Sequence, residues 1–109
     1  MRFKALAAAV VVLLAPLAPA QADQDSALAA VRSKPGVMDA QIDTRGNLWV
    51  MVKNANIAWD QYAAFMCGVV RPHQARVFAV HVVDFTSVGR GRKSGEWKQL
   101  AQMNCAALQ

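Results

Sequence analysis

The sequence predicts a small single α+β domain in which helices pack on a mainly antiparallel sheet and one disulfide ties the structure together. Segments with the helical spacing of apolar residues alternate with segments in which every second residue is apolar. The 109 residues contain only two cysteines, Cys67 and Cys105. The predicted order is helix, strand, strand, helix, strand and a last element that is either a strand or a helix.

The N-terminus has the pattern of a secretory signal peptide. Two basic residues precede an uninterrupted apolar run over 5–15, and small residues then recur with A-x-A spacing up to Ala22. The run is shorter than the ~20 apolar residues that a membrane-spanning helix needs. We therefore predict that 1–22 are cleaved and that 23–109 form a single exported domain without a membrane span, either periplasmic or secreted.

The charge of the predicted mature domain is only moderately positive. Cleavage removes two of the 12 basic residues, Arg2 and Lys4, and none of the seven acidic ones, so the formal net charge falls from +5 to +3. Affinity for nucleic acid is not predicted at this charge. The two histidines, His73 and His81, have no carboxylate or thiolate at metal-ligand spacing, so neither a metal site nor a cofactor is predicted.

The two cysteines have two interpretations. An exported domain of this size gains stability from a covalent link, and an oxidising compartment favours pairing of Cys67 with Cys105. The alternative makes Cys67 a nucleophile with His73 or His81 as its base. No oxyanion site or orienting partner accompanies these residues in the sequence, so we predict the disulfide.

The first helix and a hairpin follow the predicted cleavage site. The helix is predicted over 23–33, with Asp25 or Ser26 as its N-cap, and its short apolar face consists of Ala27, Leu28 and Val31. Strict alternation from Val37 then predicts two strands around a turn at 44–47. A three-residue loop puts the apolar residues of both strands on one face. The predicted partners are Thr44 with Leu48, Ile42 with Val50, Ala40 with Val52 and Asp39 with Lys53.

The second helix is the most strongly patterned segment. It is predicted to begin at a cap formed by Asn54 or Asn56 and to end near Val70, before Arg71-Pro72. Its predicted buried stripe consists of Ala58, Tyr62, Phe65, Met66 and Val69.

The third strand is predicted within 75–88, because the run over 77–83 is rich in β-branched residues and apolar at both parities, as in a central strand covered on both faces. A glycine-rich basic loop over 89–95 follows. The segment 96–108 fits helical and strand periodicity, and we favour a strand that returns along the third one.

Two surfaces are candidate binding sites. The basic loop and its flank contain Arg90, Arg92, Lys93 and Lys98, with Trp97 beside them, a composition that suits phosphate, sulfate or carboxylate groups. The second surface is the pair Trp49 and Met51, which the predicted register puts on the polar face of the hairpin, where an exposed pair would mark a protein contact. Burial of this pair by the first helix or the chain end is the alternative.

The leading functional hypothesis is an exported, non-enzymatic binding or protein-interaction module, for example an inhibitor or an accessory subunit of an envelope complex. Its expected partner is a protein or an anionic envelope polymer. The alternative is a small exported hydrolase that uses His81 or His73 with Asp84 or Asp60, which requires a concave site where a histidine and an aspartate converge.

Overall fold

The computed structural model describes residues 19–89 and 91–108. The helices are α1 (Pro19–Arg32) and α2 (Trp59–Val70), and the strands are β1 (Val37–Ile42), β2 (Asn47–Val52), β3 (Ala79–Asp84) and β4 (Gln99–Asn104). Short 3-10 turns, which the sequence pattern did not predict, occupy Arg71–His73, Phe85–Ser87, Ser94–Glu96 and Cys105–Leu108. The small α+β class is confirmed and the predicted order is met in part, with a strand rather than a helix as the last long element.

The sheet is mixed, which corrects the prediction of a mainly antiparallel one. Its four strands lie in the order β1-β2-β3-β4, with antiparallel outer pairs and a parallel central pair, β2 with β3. The reason is the position of α2 between β2 and β3 in the chain, because a helical crossover returns the chain to the same end of the sheet and starts the next strand in the same direction. The third strand is central, as predicted.

The β1–β2 hairpin has the predicted loop length but different partners. Asp43 N–H donates to the Asn47 carbonyl at 3.0 Å, which leaves 44–46 as the loop, and Ala40 pairs with Val50. Ala40 and Ile42 of β1 still lie on the same face as Leu48 and Val50 of β2. All four predicted pairs are wrong, since Ile42 pairs with Leu48, Ala40 with Val50 and Asp39 with Met51. The Asp43 carboxylate accepts from the backbone N–H groups of Arg45 and Asn47 and closes the turn one residue earlier.

Helix α1 begins earlier than predicted. It starts at Pro19, so Asp25 and Ser26 lie inside the helix and do not cap it. Its predicted apolar face is confirmed, since Ala27 and Val31 are fully buried and Leu28 packs against the core. Residues 1–18, most of the predicted signal peptide, lie outside the described residues.

Helix α2 ends at Val70 as predicted, but its beginning and its buried face differ. Its N-cap is Ala58, without a side-chain capping bond, instead of Asn54 or Asn56. The fully buried positions of the helix are Ala63, Met66, Cys67 and Val70, whereas Phe65 is 51% exposed. The face that packs inward contains the small residues Ala63 and Cys67, because a small side chain lets the helix approach the sheet closely.

The core lies between the helices and one face of the sheet, which we call the inner face. Its strand residues are Ala40, Leu48, Val50, Val52, Val80, Val82 and Ala101, packed against Ala27 and Val31 of α1 and the buried residues of α2. The predicted disulfide between Cys67 and Cys105 is present, with a Cα–Cα distance of 5.4 Å. It joins α2 to the end of β4 across a sequence separation of 38, for which the chain-entropy relation gives about 4 kcal/mol of stabilisation.

The exposed edge of β1 is closed by side chains. Arg32 Nη2 donates to the Ala40 carbonyl oxygen at 2.6 Å, and the Ala40 N–H donates to Asp39 Oδ1 at 2.8 Å. The same two side chains form an ion pair of 3.4 Å between Arg32 Nε and Asp39 Oδ1. A bulge between Val37 and Asp39 accompanies this arrangement.

Candidate functional site

The face of the sheet opposite the helices, which we call the outer face, brings the candidate residues together. Strand alternation places Trp49 and Met51 of β2 and His81 and Val83 of β3 on this face, in the paired register Trp49–His81 and Met51–Val83. Met51 is 3% exposed and Val83 is fully buried. The expected exposed Trp49/Met51 pair is therefore wrong as to Met51, and only Trp49, which is half-buried, reaches the surface.

Three aromatic rings lie in contact on the outer face. The Trp49 and His81 rings stack with centroids 4.2 Å apart and an interplanar angle of 16°. Trp97 meets Trp49 edge-to-face, with centroids 5.3 Å apart and an angle of 89°. The Trp49–Trp97 contact joins the two surfaces that the sequence suggested separately, because Trp97 belongs to the flank of the basic loop.

A chain of hydrogen bonds runs across the same face beneath the rings. Asp43 Oδ2 accepts from Trp49 Nε1 at 3.0 Å and from Asn47 Nδ2 at 3.1 Å. Asn47 Oδ1 lies 3.0 Å from His81 Nε2, and Gln99 Oε1 lies 2.8 Å from His81 Nδ1. The network therefore links the β1–β2 turn to β3 and β4.

The Asp43 carboxylate is the charged end of this network. Partial burial raises the pKa of Asp43, but hydrogen bonds from the Trp49 indole, the Asn47 backbone and side chain and the Arg45 backbone outweigh it and lower the pKa to about 2. These bonds favour the charged form, so Asp43 is an anion across the physiological range.

The Asn47 amide bridges the Asp43 carboxylate and the His81 ring. Because Asn47 Nδ2 donates to the Asp43 carboxylate, Asn47 Oδ1 faces His81 and accepts from Nε2–H. Gln99 Oε1 lies against His81 Nδ1 at 2.8 Å, so both ring nitrogens face an amide. His81 is 9% exposed and both ring nitrogens contact neighbouring amides, so the ring is a buried member of the network.

The base of the loop between β3 and β4 is fastened by short hydrogen bonds. Asp84 accepts from the Thr86 backbone N–H and hydroxyl at 2.9 and 2.7 Å, and Asp84 N–H donates to the Lys98 carbonyl at 2.9 Å. Ser87 Oγ donates to the Asp84 carbonyl and accepts from Lys98 N–H. The two bonds from Thr86, together with the positive charge of Lys98, lower the pKa of Asp84 against the opposing effect of desolvation.

The cations of the loop lie beyond this fastened base. Arg92, Lys93 and Lys98 are all exposed. Arg92 Nη1 donates to the Ser87 carbonyl at 3.3 Å. The backbone N–H of Lys93 donates to the Glu96 carboxylate at 2.9 Å, and this bond does not involve the Lys93 ammonium group. Arg90, the other predicted member, lies outside the described residues.

The histidines and aspartates considered for catalysis lie in different parts of the fold. His81 and Asp84 are three positions apart on β3, so their side chains leave on opposite faces of the sheet. Asp60 lies in the first turn of α2, on the inner side of the sheet. His73 Nδ1 lies 2.9 Å from Ser26 Oγ at the surface.

Sequence reasoning missed Asp43, Asn47 and Gln99. Aspartate before a glycine-containing turn is a recognised turn-capping signal, and it would have identified Asp43. Gln99 breaks the apolar alternation of the last strand because a bulge lies between Val82 and Val83, where Val83 pairs with Gln99. A bulge of this kind turns the glutamine onto the outer face.

Comparison with known protein families, with characterised proteins and with solved structures gave no match. Among residues 19–89 and 91–108, no helix has the length and apolar character needed to cross a membrane. The same part of the chain contains no group of three or more metal-ligating side chains close enough to hold an ion.

Proposed function

We propose that this protein is an exported, non-enzymatic binding module that holds an anionic envelope polymer on its outer face and basic loop. The observation that carries the proposal is the edge-to-face contact between Trp97 and Trp49. It fixes the cationic segment against the sheet, so cations, amides and a half-buried indole form one continuous surface.

The chemistry of this surface suits a polymer with both charged and hydroxyl groups. Arg92, Lys93 and Lys98 supply positive charge, and a guanidinium binds carboxylate, sulfate or phosphate with two parallel bonds. The exposed amide of Gln102 supplies N–H donors that hydroxyl groups can use, and its oxygen accepts from Gln99 Nε2 at 3.3 Å. A surface of this kind recognises a ligand without a nucleophile or a general base.

A polymer accounts for the outer face better than an apolar protein contact does. The protein-contact hypothesis depended on an exposed Trp49/Met51 pair, and Met51 is 3% exposed. Protein interfaces depend on large anchors that enter a partner's pocket, whereas Trp49 is held between His81 and Trp97. Export follows from the predicted signal peptide, and the Cys67–Cys105 disulfide is compatible with an oxidising compartment.

The test compares two variants that lose the same charge. Arg92→Ser/Lys93→Ser removes two cations of the loop, and Arg45→Ser/Lys53→Ser removes two exposed cations elsewhere. We expect the loop variant to bind heparin roughly fivefold more weakly than wild type, because two exposed charge contacts contribute about 1 kcal/mol together. The control variant should bind nearly as wild type. Equal loss in both variants would show that retention reflects net charge alone.

A third variant tests the contact that carries the proposal. Trp97→Ala changes no charge but releases the loop from Trp49, so retention on the polyanion should fall while the melting temperature, measured in parallel, shows that the domain is folded. Unchanged retention of this variant would remove the outer face from the proposal. Binding to an acidic protein without binding to any anionic polysaccharide would contradict the polymer and assign a protein partner instead.

A further inference from the structure

A cavity of about 210 Å³ opens where the end of α2 meets the segment that leads into β3. Its apolar lining includes Cys67 and Val70 of α2 together with Ala75 and Val77, and its polar lining comes from Arg71, Gln74 and Arg76. An apolar cavity of about 150 Å³ can hold a benzene ring, and sites for drug-sized ligands begin at about 300 Å³. This cavity therefore has room for one aromatic or branched aliphatic group.

Two arginines and an aromatic ring form its mouth. Arg71, Arg76 and Phe78 line the cavity and are exposed, Phe78 to 59%. Neither guanidinium forms an ion pair or a side-chain hydrogen bond with another residue that the structure describes. The ion pair in that part of the chain joins Arg32 to Asp39. Two guanidinium groups beside an apolar recess are arranged to hold a planar anion that carries an apolar substituent.

The backbone at the mouth has an unusual conformation. Gln74 and Arg76 have φ angles of 54° and 57°, the left-handed region that residues with a side chain rarely adopt. Such conformations persist where the surroundings enforce them and are concentrated at ligand sites. Here Gln74 N–H donates to the Arg71 carbonyl, and Phe78 N–H donates to the Gly46 carbonyl at 2.8 Å.

Gly46 of the β1–β2 turn completes this support. A Cβ atom at Gly46 would collide with the Phe78 ring and would lie 2.9 Å from the Arg76 carbonyl oxygen. The turn and the segment before β3 therefore pack backbone against backbone. This contact holds Phe78 and Arg76 at the mouth of the cavity.

We propose that the cavity binds a small carboxylate that carries one aromatic or branched aliphatic group. The group occupies the apolar recess beside Phe78, and the carboxylate lies on Arg71 and Arg76. A free small acid and the C-terminal residue of a peptide share this chemistry. The site is separate from the basic loop, since it lies at the opposite end of β3, roughly 20 Å away for six strand residues.

The test titrates the protein with 3-phenylpropanoate and with an acetylated tripeptide that ends in phenylalanine. The uncharged amide of each ligand is titrated in parallel for comparison. We expect saturable shifts of the backbone amide NMR signals at 74–78 with both acids, and about tenfold weaker binding of the amides, because a charged hydrogen bond to arginine is lost. Tighter binding of the tripeptide would assign a peptide C-terminus as the natural ligand, and binding of the free acid alone would assign a small acid.

Variants separate loss of the site from loss of the fold. Arg76→Gly removes a guanidinium at a position where glycine adopts the observed φ readily, so affinity for 3-phenylpropanoate should fall about tenfold while the melting temperature does not fall. Arg71→Gln should weaken binding similarly, and Lys53→Gln, which removes an exposed cation next to the other end of β3, should bind as wild type. Absence of saturable binding by either acid, or equal binding by Arg76→Gly and wild type, would overturn the proposal.

Discussion

The two faces of the sheet are built from alternate residues of the same strands but are held by different forces. On the inner face, Leu48, Val50 and Val82 are fully buried against the helices, and their stabilisation comes from non-directional removal of apolar area from water. On the outer face, Trp49 and His81 are held by stacking and by hydrogen bonds that end at a carboxylate. Residues that are neighbours in one strand therefore differ in how their contribution to the free energy of unfolding depends on pH and on the loss of a single polar group.

The largest expected effect is on the inner face. Leu48→Ala creates a cavity at a fully buried position, and we expect the free energy of unfolding to fall by about 3 kcal/mol. The loss should be the same at pH 3 and pH 7, because no titratable group takes part in this packing. Urea denaturation at the two pH values measures it. A loss that changed markedly with pH would mean that the two faces are coupled.

Asp43→Asn should produce a smaller loss that depends on pH. The Asp43 pKa is lowered from 3.8 to about 2 in the folded protein, so the unfolded chain binds its proton first as the pH falls. The stabilisation is therefore fully present above about pH 4 and disappears as the pH falls towards 2. Its upper limit is about 2 kcal/mol, and solvent screening of a partly exposed carboxylate reduces it.

Denaturation of wild type and Asp43→Asn between pH 2 and pH 7 measures this difference. The two stability curves should converge at low pH and separate above pH 4. Asp39→Asn is a suitable control, because Asp39 is an exposed carboxylate at the β1 edge and outside the network. Parallel curves for wild type and Asp43→Asn would show that the hydrogen bonds to Asp43 do not stabilise the fold.

The smallest expected effect concerns a single hydrogen bond of the outer face. Trp49→Phe keeps an aromatic ring between His81 and Trp97 but loses the indole N–H that donates to Asp43. We expect a loss of about 1 kcal/mol, with a coupling of similar size in a double-mutant cycle with Asp43→Asn. Additive losses in the cycle would mean that the ring and the carboxylate act independently.

The sequence predicted those features that depend on local periodicity. Alternation in β2 correctly assigned Leu48 and Val50 to one face of the sheet and Trp49 to the other. Because the apolar residues of both strands had to share the buried face, hairpin loops with an even number of residues were excluded. Two cysteines in a small predicted export product indicated the disulfide that the structure contains. Each of these depends on neighbours in the chain or on composition.

The features that were missed depend on contacts between distant segments. Parallel pairing of β2 with β3 is decided by how α2 crosses between them, although a strand–helix–strand order was itself a signal for it. Met51 is buried beside Val83, its partner on another strand, and the pattern of β2 alone does not contain that neighbour. The contact between Trp97 and Trp49 required a loop to fold back over the sheet, and no periodicity of either segment contains that information.

The side chains that cover the edge of β1 affect whether another chain can add a strand there. An outer strand offers unpaired N–H and C=O groups on which another chain can add a strand, and this is a route to aggregation. At Ala40 the N–H is taken by Asp39 and the carbonyl by Arg32, and these two side chains hold each other in place. A second strand that approached this edge would have to displace both charged groups before it could pair with Ala40, so the ion pair opposes strand addition at the middle of β1.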